Sequence, residues 1–359
     1  DAAPPEVTRP AKAAPLRRKN PGCTRHSAGL MQREESKVIA KFLKAALIGT
    51  ALIGVGAAQS AETVVWWDFL GGGDGIRMKK LIDDFNAANA GNIEIQATTL
   101  DWGVPFYTKV QTSAAVGEGP DLMTYHASRI PLAVSQGTLA EISADDMSAM
   151  GLTADSFAPA PWEAVNVDGK QYAVPFDTHP IVLYYNKDKL AVAGLIGADG
   201  LPTGLNGRDN FREALKKIQA AGTKYGISTV TADGSFSFRT IYSFLCQQGG
   251  TIGTDGAWLE GDNEAKLANA VQVIADWVAD GTNPPYTDYP ATVALFTTGE
   301  AAMMINGVWE VPTMTDLHAQ GKLFEWGAIE LPVLFDKPCT YSDSHSWAIP
   351  NNQGKTVTP

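Results

Sequence analysis

The sequence has little positive charge, few cysteines and no apolar run long enough to span a bilayer. Its 359 residues include 28 Lys or Arg against 39 Asp or Glu. Ten of the basic and four of the acidic residues fall in 1–61, leaving 18 against 35, a net of −17, over 62–359. A body of that sign lacks the basic face that meets phosphates, which argues against nucleic-acid binding. The apolar run 45–58 has 14 residues, short against the roughly 20 that cross a bilayer. Three cysteines occur, Cys23, Cys246 and Cys339; the last two lie far apart, and sequence leaves open whether they are free or paired. The chain holds no G-x-S-x-G, no H-E-x-x-H and no Cys/His cluster at metal spacing, so no catalytic centre, metal or cofactor is expected. Asp343, Ser344 and His345 are adjacent, but neighbours on an extended segment alternate faces and cannot assemble a hydrolytic triad.

What is present is an ordinary folded composition, 45% hydrophobic and 19% charged, in a chain long enough for two domains. Residues 1–30 are rich in Pro, Ala and Arg without periodicity and read as disordered or as a spurious extension. Over 31–61, Lys37, Lys41 and Lys44 precede the apolar run and small residues follow it, the layout of a secretory signal peptide; a membrane anchor is the alternative.

From residue 62 onward, strands and helices alternate. Strands are expected at 63–67, 93–98 and 121–125, with amphipathic helices at 76–88 and 104–116 between them. That order predicts an α/β fold with a mainly parallel sheet flanked by helices. The glycines 71–73 and 75 stand where a phosphate loop would, but neither the P-loop nor the dinucleotide spacing fits, since Ile76 or Met78 occupies the third glycine position. Pro175 and Pro180 bracket a stretch that cannot be a regular central strand and reads as a crossing between lobes. Further on, a helix over 293–298, a turn at Gly299, an apolar strand over 301–305 and an Asn306-Gly307 turn lead to Trp309. An aromatic and an amide just past a buried strand suit a ligand contact at the strand's carboxyl end; a tryptophan that caps the core is the other reading.

The stretch 296–309, with Phe296, Gly299, Ala301, Ala302, Met303, Asn306, Gly307 and Trp309, resembles the F-x-x-G-x-A-A-M-x-x-N-G-x-W signature of carbohydrate-type solute-binding proteins of ABC importers. GKQYAVPFDTHPIVLYYNKDK at 169–189, GEGPDL at 117–122, Trp66-Trp67 with the glycine loop and Phe85-Asn86, and 344–350 are similar to further segments of that family, in order. Thr203-Gly204 departs from its usual Thr-Trp or Ser-Trp. Family members continue beyond the position of Pro359, so the resemblance implies a C-terminally truncated chain.

The resemblance implies a two-lobed periplasmic-binding-protein fold, lobe one from 62–178 plus 344–359 and lobe two from 179–343. It implies a periplasmic, monomeric protein that captures a carbohydrate and passes it to membrane permease subunits without making or breaking bonds. A secreted carbohydrate-active enzyme and a sensor input module are the alternatives. Contacts carried over by position are Trp67, Asp68, Tyr107, His126, Asp177, His179, Asn306, Gly307, Trp309, Asp343 and His345. Aromatic faces suit the C–H faces of sugars, and Asp, Asn and His supply donors and acceptors for hydroxyls. Only one of Trp66 and Trp67 can face the cleft if the strand is regular; Trp67 is the expected one. His126 and His179 serve either a ligand or a loop.

Overall fold

The computed structural model describes residues 61–232, 234–252 and 259–354. The expectations for 1–30 and 31–60 lie outside the described residues.

The structure contains two separate five-stranded sheets, each with its own apolar core. In the first, β1 (Glu62–Asp68), β2 (Ile93–Thr99) and β3 (Leu122–His126) run parallel in the order β2-β1-β3. Helices Gly72–Ala88 and Val104–Ala115 connect them, as parallel neighbours require a crossover. A small hairpin follows, β4 (Asn166–Val167) with β5 (Lys170–Gln171). The chain then supplies β6 (Ala173–Pro175) to the outer edge of the first sheet.

After three residues, 176–178, it enters the second sheet through β7 (His179–Asn186), and continues with β8 (Tyr225–Ser228), β9 (Ala301–Gly307) and β10 (Trp326–Glu330). β11 (Ser342–Asp343) pairs with the start of β7, and β12 (His345–Ala348) returns to the first sheet between β3 and β6. The chain thus passes between the sheets twice, around 176–178 and at Ser344.

β9 is buried at all seven positions. β7 and β8 pair its two edges, and Met303 and Ile305 pack into one core cluster while Met304 packs into another, so both faces meet side chains and a continuous apolar run is the stable solution. The strand extends through Asn306 and Gly307, where a turn was expected. β7 reaches far enough to pair Val182 with Asn306 and Ile181 with Gly307, and this pairing overrides the local turn preference.

The glycine run also differs from expectation. The helix begins at Gly72 rather than Ile76. A Cβ on Gly75 would lie 2.2 Å from the Leu70 carbonyl oxygen, and one on Gly73 would lie 2.2 Å from Pro312 Cβ. The glycines therefore permit close approach of backbone and neighbouring helix. On this helix Ile76 is 66% and Leu81 62% exposed, and of the five apolar positions only Ile82 is buried. The apolar periodicity marked the helix but not its buried face. The Gly73 end instead touches the helix Val311–Ala319 of the second sheet's layer: Gly73 N–H donates to Thr313 Oγ1 at 3.3 Å, and Arg77 lies 3.6 Å from Asp316.

Cys246 and Cys339 form a disulfide with Cα atoms 5.8 Å apart. It ties the helix Gly234–Gln247 to the segment leading into β11. The link closes a sequence separation of 93 residues, and constraining the unfolded chain to that extent stabilises by about 2–4 kcal/mol. A Cys246→Ser/Cys339→Ser variant should lose a free energy of that size in urea unfolding, and reductant should reproduce the loss in the parent chain. Equal midpoints would refute it. Among the described residues no helix is long and apolar enough to cross a membrane.

Candidate functional site

A cavity of about 200 Å³ opens where the two sheets face each other. One wall comes from the first sheet's layer: Phe69 to Gly72 and Asp74 after β1, Trp102 after β2, and His126 at the end of β3. The other wall is Phe236, Arg239, Tyr289, Trp309 and Glu310. His179, which opens β7, and His345, which opens β12, sit at the two passages between the sheets.

The registers explain why the imidazoles meet. β12 runs antiparallel to β3 with His345 opposite His126, and Asp343 of β11 stands opposite His179 of β7. The ring centroids of His126 and His345 are 4.7 Å apart, those of His179 and His345 4.1 Å, and those of His126 and His179 5.4 Å.

Asp177 holds two of these rings. One carboxylate oxygen accepts from His179 Nδ1 at 3.0 Å, and the other from His345 Nδ1 at 2.7 Å. The backbone N–H of His345 donates to the same carboxylate at 2.6 Å. A carboxylate only accepts when ionised, so both rings carry their proton on Nδ1 and turn Nε2 away. Burial alone would raise the Asp177 carboxyl, but the hydrogen bonds from His179 and His345 hold it below the usual carboxylate range. Burial lowers both His126 and His345 below the ordinary imidazole value, so they are neutral. His126 Nδ1 shares a 2.5 Å hydrogen bond with the Tyr107 hydroxyl, and Phe69 stacks on its ring at 4.8 Å, 3° from parallel.

On the opposite wall, Trp309 Nε1 donates to the Tyr289 hydroxyl at 2.5 Å, and that hydroxyl donates to Glu310. Burial, then the neighbouring Glu310 charge, pushes the Tyr289 phenol up. The indole stands edge-on to His179 at 5.5 Å and to Phe236 at 6.3 Å. It lies directly over Gly307, where a Cβ would come within 2.0 Å of Cζ3. The Arg239 guanidinium spans the rings of Trp102 and Tyr341 at 5.1 and 5.3 Å. Burial raises the Asp74 carboxyl, and nearby Asp177 and Glu310 add to that rise.

Four of the eleven residues carried over by position line the cavity: His126, His179, Trp309 and His345. Asp177 stands behind the imidazoles. Asp68 is buried and accepts from Leu70 N–H at 2.9 Å and Thr99 Oγ1 at 3.2 Å, shaping the loop that presents Phe69. Tyr107 packs into the first sheet's core, with Arg129 over its ring at 4.9 Å, and burial raises its phenol. Asn306 is buried and accepts from Gly307 N–H at 2.8 Å. Gly307 is the seat of Trp309, and its carbonyl accepts from the Tyr184 hydroxyl at 2.7 Å. Asp343 joins segments of both sheets: it accepts from Ser128 N–H at 3.1 Å, Ser128 Oγ at 2.6 Å, Tyr341 Oη at 2.9 Å and Ser344 N–H at 2.9 Å.

Trp67 lies away from this cavity. It packs against the first core with Lys109 Nζ 5.1 Å from its ring centroid. Trp66, on the other face, is buried and donates to Thr124 Oγ1 at 3.2 Å. The face of β1 that carries Trp66 is buried at that position, while Trp67 on the other face is half-buried. Two aromatics that reach the cavity come just beyond strand ends, Phe69 one position after β1 and Trp102 three positions after β2. The rule that places ligands outside strand ends points to both. Phe236, Arg239 and Tyr289 lie on or at helices, where only packing sets the side that faces the cleft.

Residues 80–358 match the family described as bacterial extracellular solute-binding protein. The galactooligosaccharide-binding protein of Bacillus subtilis (strain 168) is 28% identical over 233 residues, 61% of this chain and 48% of that protein. The lactose-binding protein of Rhizobium radiobacter is 25% identical over 307 residues, 83% of this chain and 68% of that one. The chain spans about half the length of the first curated relatives it matches. Among solved structures, the ABC substrate-binding protein Lmo0181 from Listeria monocytogenes in complex with cycloalternan has a TM-score of 0.68 at 21% identity, over 82% of this chain and 72% of that one. The GacH receptor of Streptomyces glaucescens GLA.O has the same TM-score at 19% identity, over 83% and 73%. These two likenesses carry the two-lobed fold.

Proposed function

The chain belongs to the bacterial extracellular solute-binding proteins, and we propose that it captures a sugar or sugar-like solute between its lobes and delivers it to the permease subunits of an ABC importer. Lobe one is 62–178 with 344–359, lobe two is 179–343, and the two passages between the sheets form the hinge. In this reading 31–61 is an export signal, the mature protein works as a periplasmic monomer, and no bond of the solute is broken.

The observation that carries the reading is the composition of the cleft. Trp102, Phe236 and Trp309 bring aromatic surface from both lobes around buried imidazoles, Arg239, Asp74 and Glu310. Such walls hold the apolar faces of a sugar ring while a few aimed polar groups take its hydroxyls. The relatives named for galactooligosaccharide, maltodextrin and lactose binding support the same solute class.

The full chain is tested by thermal shift against mono- and oligosaccharides, polyols and glycerol phosphates. A solute at 100 times its Kd stabilises the folded state by about 2.7 kcal/mol, and Trp102 and Trp309 should report the same event by fluorescence. A panel in which no solute raises Tm, or in which sugar is turned over, overturns the proposal.

A further inference from the structure

The hydrogen bonds of the cleft leave one feature without a use. His126, His179 and His345 are each under 10% exposed. One nitrogen from each ring can be chosen so that all three lie within 4.8 Å of one another. His179 Nε2 is buried and has no hydrogen-bond partner among the described residues. A buried polar atom left unsatisfied costs about 1–3 kcal/mol, so a group that occupies this point recovers that loss.

We infer that the three imidazoles form a binding site for one divalent first-row transition ion of the zinc class, with the remaining coordination position open to the solute cleft. The chemistry of the donor set selects this class. Three imidazoles with no carboxylate in the inner set suit Zn²⁺, Co²⁺, Ni²⁺ or Cu²⁺ and disfavour Mg²⁺ and Ca²⁺, which take oxygen. A tetrahedral ion with bonds of about 2.0–2.1 Å holds its ligand atoms roughly 3.4 Å apart, so the cluster closes by about an ångström or somewhat more on binding.

The surroundings are those a metal site needs. Asp177 accepts Nδ1–H from both His179 and His345, which fixes the tautomer, orients both rings and leaves the Nε2 lone pairs for an ion. A carboxylate behind a ligating histidine raises its basicity and holds its plane. Tyr107 performs the orienting part for His126 Nδ1, and Phe69 stacks on that ring. The three residues stand at strand termini, paired by register rather than carried on free loops. Because all three line the cavity, the open side of the ion faces it.

The inference does not depend on the solute reading, because its probe is the metal alone. The full chain is purified without a polyhistidine tag, stripped with chelator and titrated with Zn²⁺ by calorimetry. One equivalent is expected, with a rise in Tm that Mg²⁺ and Ca²⁺ do not give. Co²⁺ should give visible ligand-field bands of a nitrogen-ligated, four- or five-coordinate ion. His126→Gln and His179→Gln should each weaken Zn²⁺ by tenfold or more, and Asp177→Asn by about 10–100-fold through ring orientation. His318→Gln, at a histidine outside the cluster, should leave the affinity unchanged. Circular dichroism identifies any variant that fails to fold; for such a variant the stoichiometry and Co²⁺ spectrum of the parent chain decide. No stoichiometric Zn²⁺ uptake by the parent, or uptake unchanged in folded His126→Gln and His179→Gln variants, overturns the site. A failed sugar screen with intact Zn²⁺ binding would refute the proposed function alone.

Discussion

Gly307→Ala is expected to cost solute affinity as much as removing the indole it supports. The backbone there has φ −85° and ψ 165°, which alanine adopts without strain. The obstacle is lateral: the new methyl would lie 2.0 Å from Trp309 Cζ3 and 2.2 Å from two further ring carbons. The strand is buried and paired on both sides, so the indole must turn rather than the backbone retreat. That breaks the Trp309–Tyr289 hydrogen bond and leaves Glu310 with the Tyr289 hydroxyl alone from that chain. A buried aromatic anchor is worth about 2 kcal/mol or more to binding, a factor of about 30 in Kd. Calorimetry with a solute from the screen should show Gly307→Ala and Trp309→Ala weakened alike, with near-native circular dichroism. Parent-like binding by Gly307→Ala would mean that Trp309 is a core residue and not a ligand wall.

Asp343→Ala should cost mainly stability. The carboxylate is buried and accepts four hydrogen bonds, two from Ser128, one from Tyr341 and one from Ser344. Alanine leaves these donors facing a void. Each buried group left unpaired costs about 1–3 kcal/mol, and water entering the space recovers part of it, so a net loss of about 3 kcal/mol is expected. Asp343→Asn keeps one accepting oxygen and should lose about half as much. Urea midpoints measured on the three proteins check this ordering; an alanine variant as stable as the asparagine one would contradict it.

The alternation of β-branched runs with amphipathic stretches made the first sheet legible, because a parallel sheet needs that order. The apolar run at 301–305 likewise announced a strand buried on both faces. What local pattern could not supply was pairing. Asn306-Gly307 reads as a turn until β7 is seen to run alongside it. The glycines after β1 look like a loop until Pro312 is found pressed against Gly73. At the site, proximity to strand ends pointed to His126, Trp309 and the two crossing histidines. It did not separate Trp67, which packs half-buried against the first core, from Phe69 and Trp102, which reach the cavity. Nothing in the spacing of His126, His179 and His345 joins them, because antiparallel register and two returns of the chain bring them together. The disulfide has the same origin: the partners share no local motif, only a fold that sets their Cα atoms 5.8 Å apart.

The Asp177 carboxylate has a consequence for motion. It binds His179 at the end of one passage between the sheets and His345 at the end of the other. A lobe rotating under the proposed hinge therefore turns about an axis near this carboxylate. Points close to an axis sweep short arcs, and points far from it sweep long ones. The imidazole floor should keep its spacing as the protein opens, while the rim contact between Gly73 and Thr313 separates. A pair of spin labels across that rim would then act as a protractor for the opening angle, and a pair across the histidines would scarcely register it.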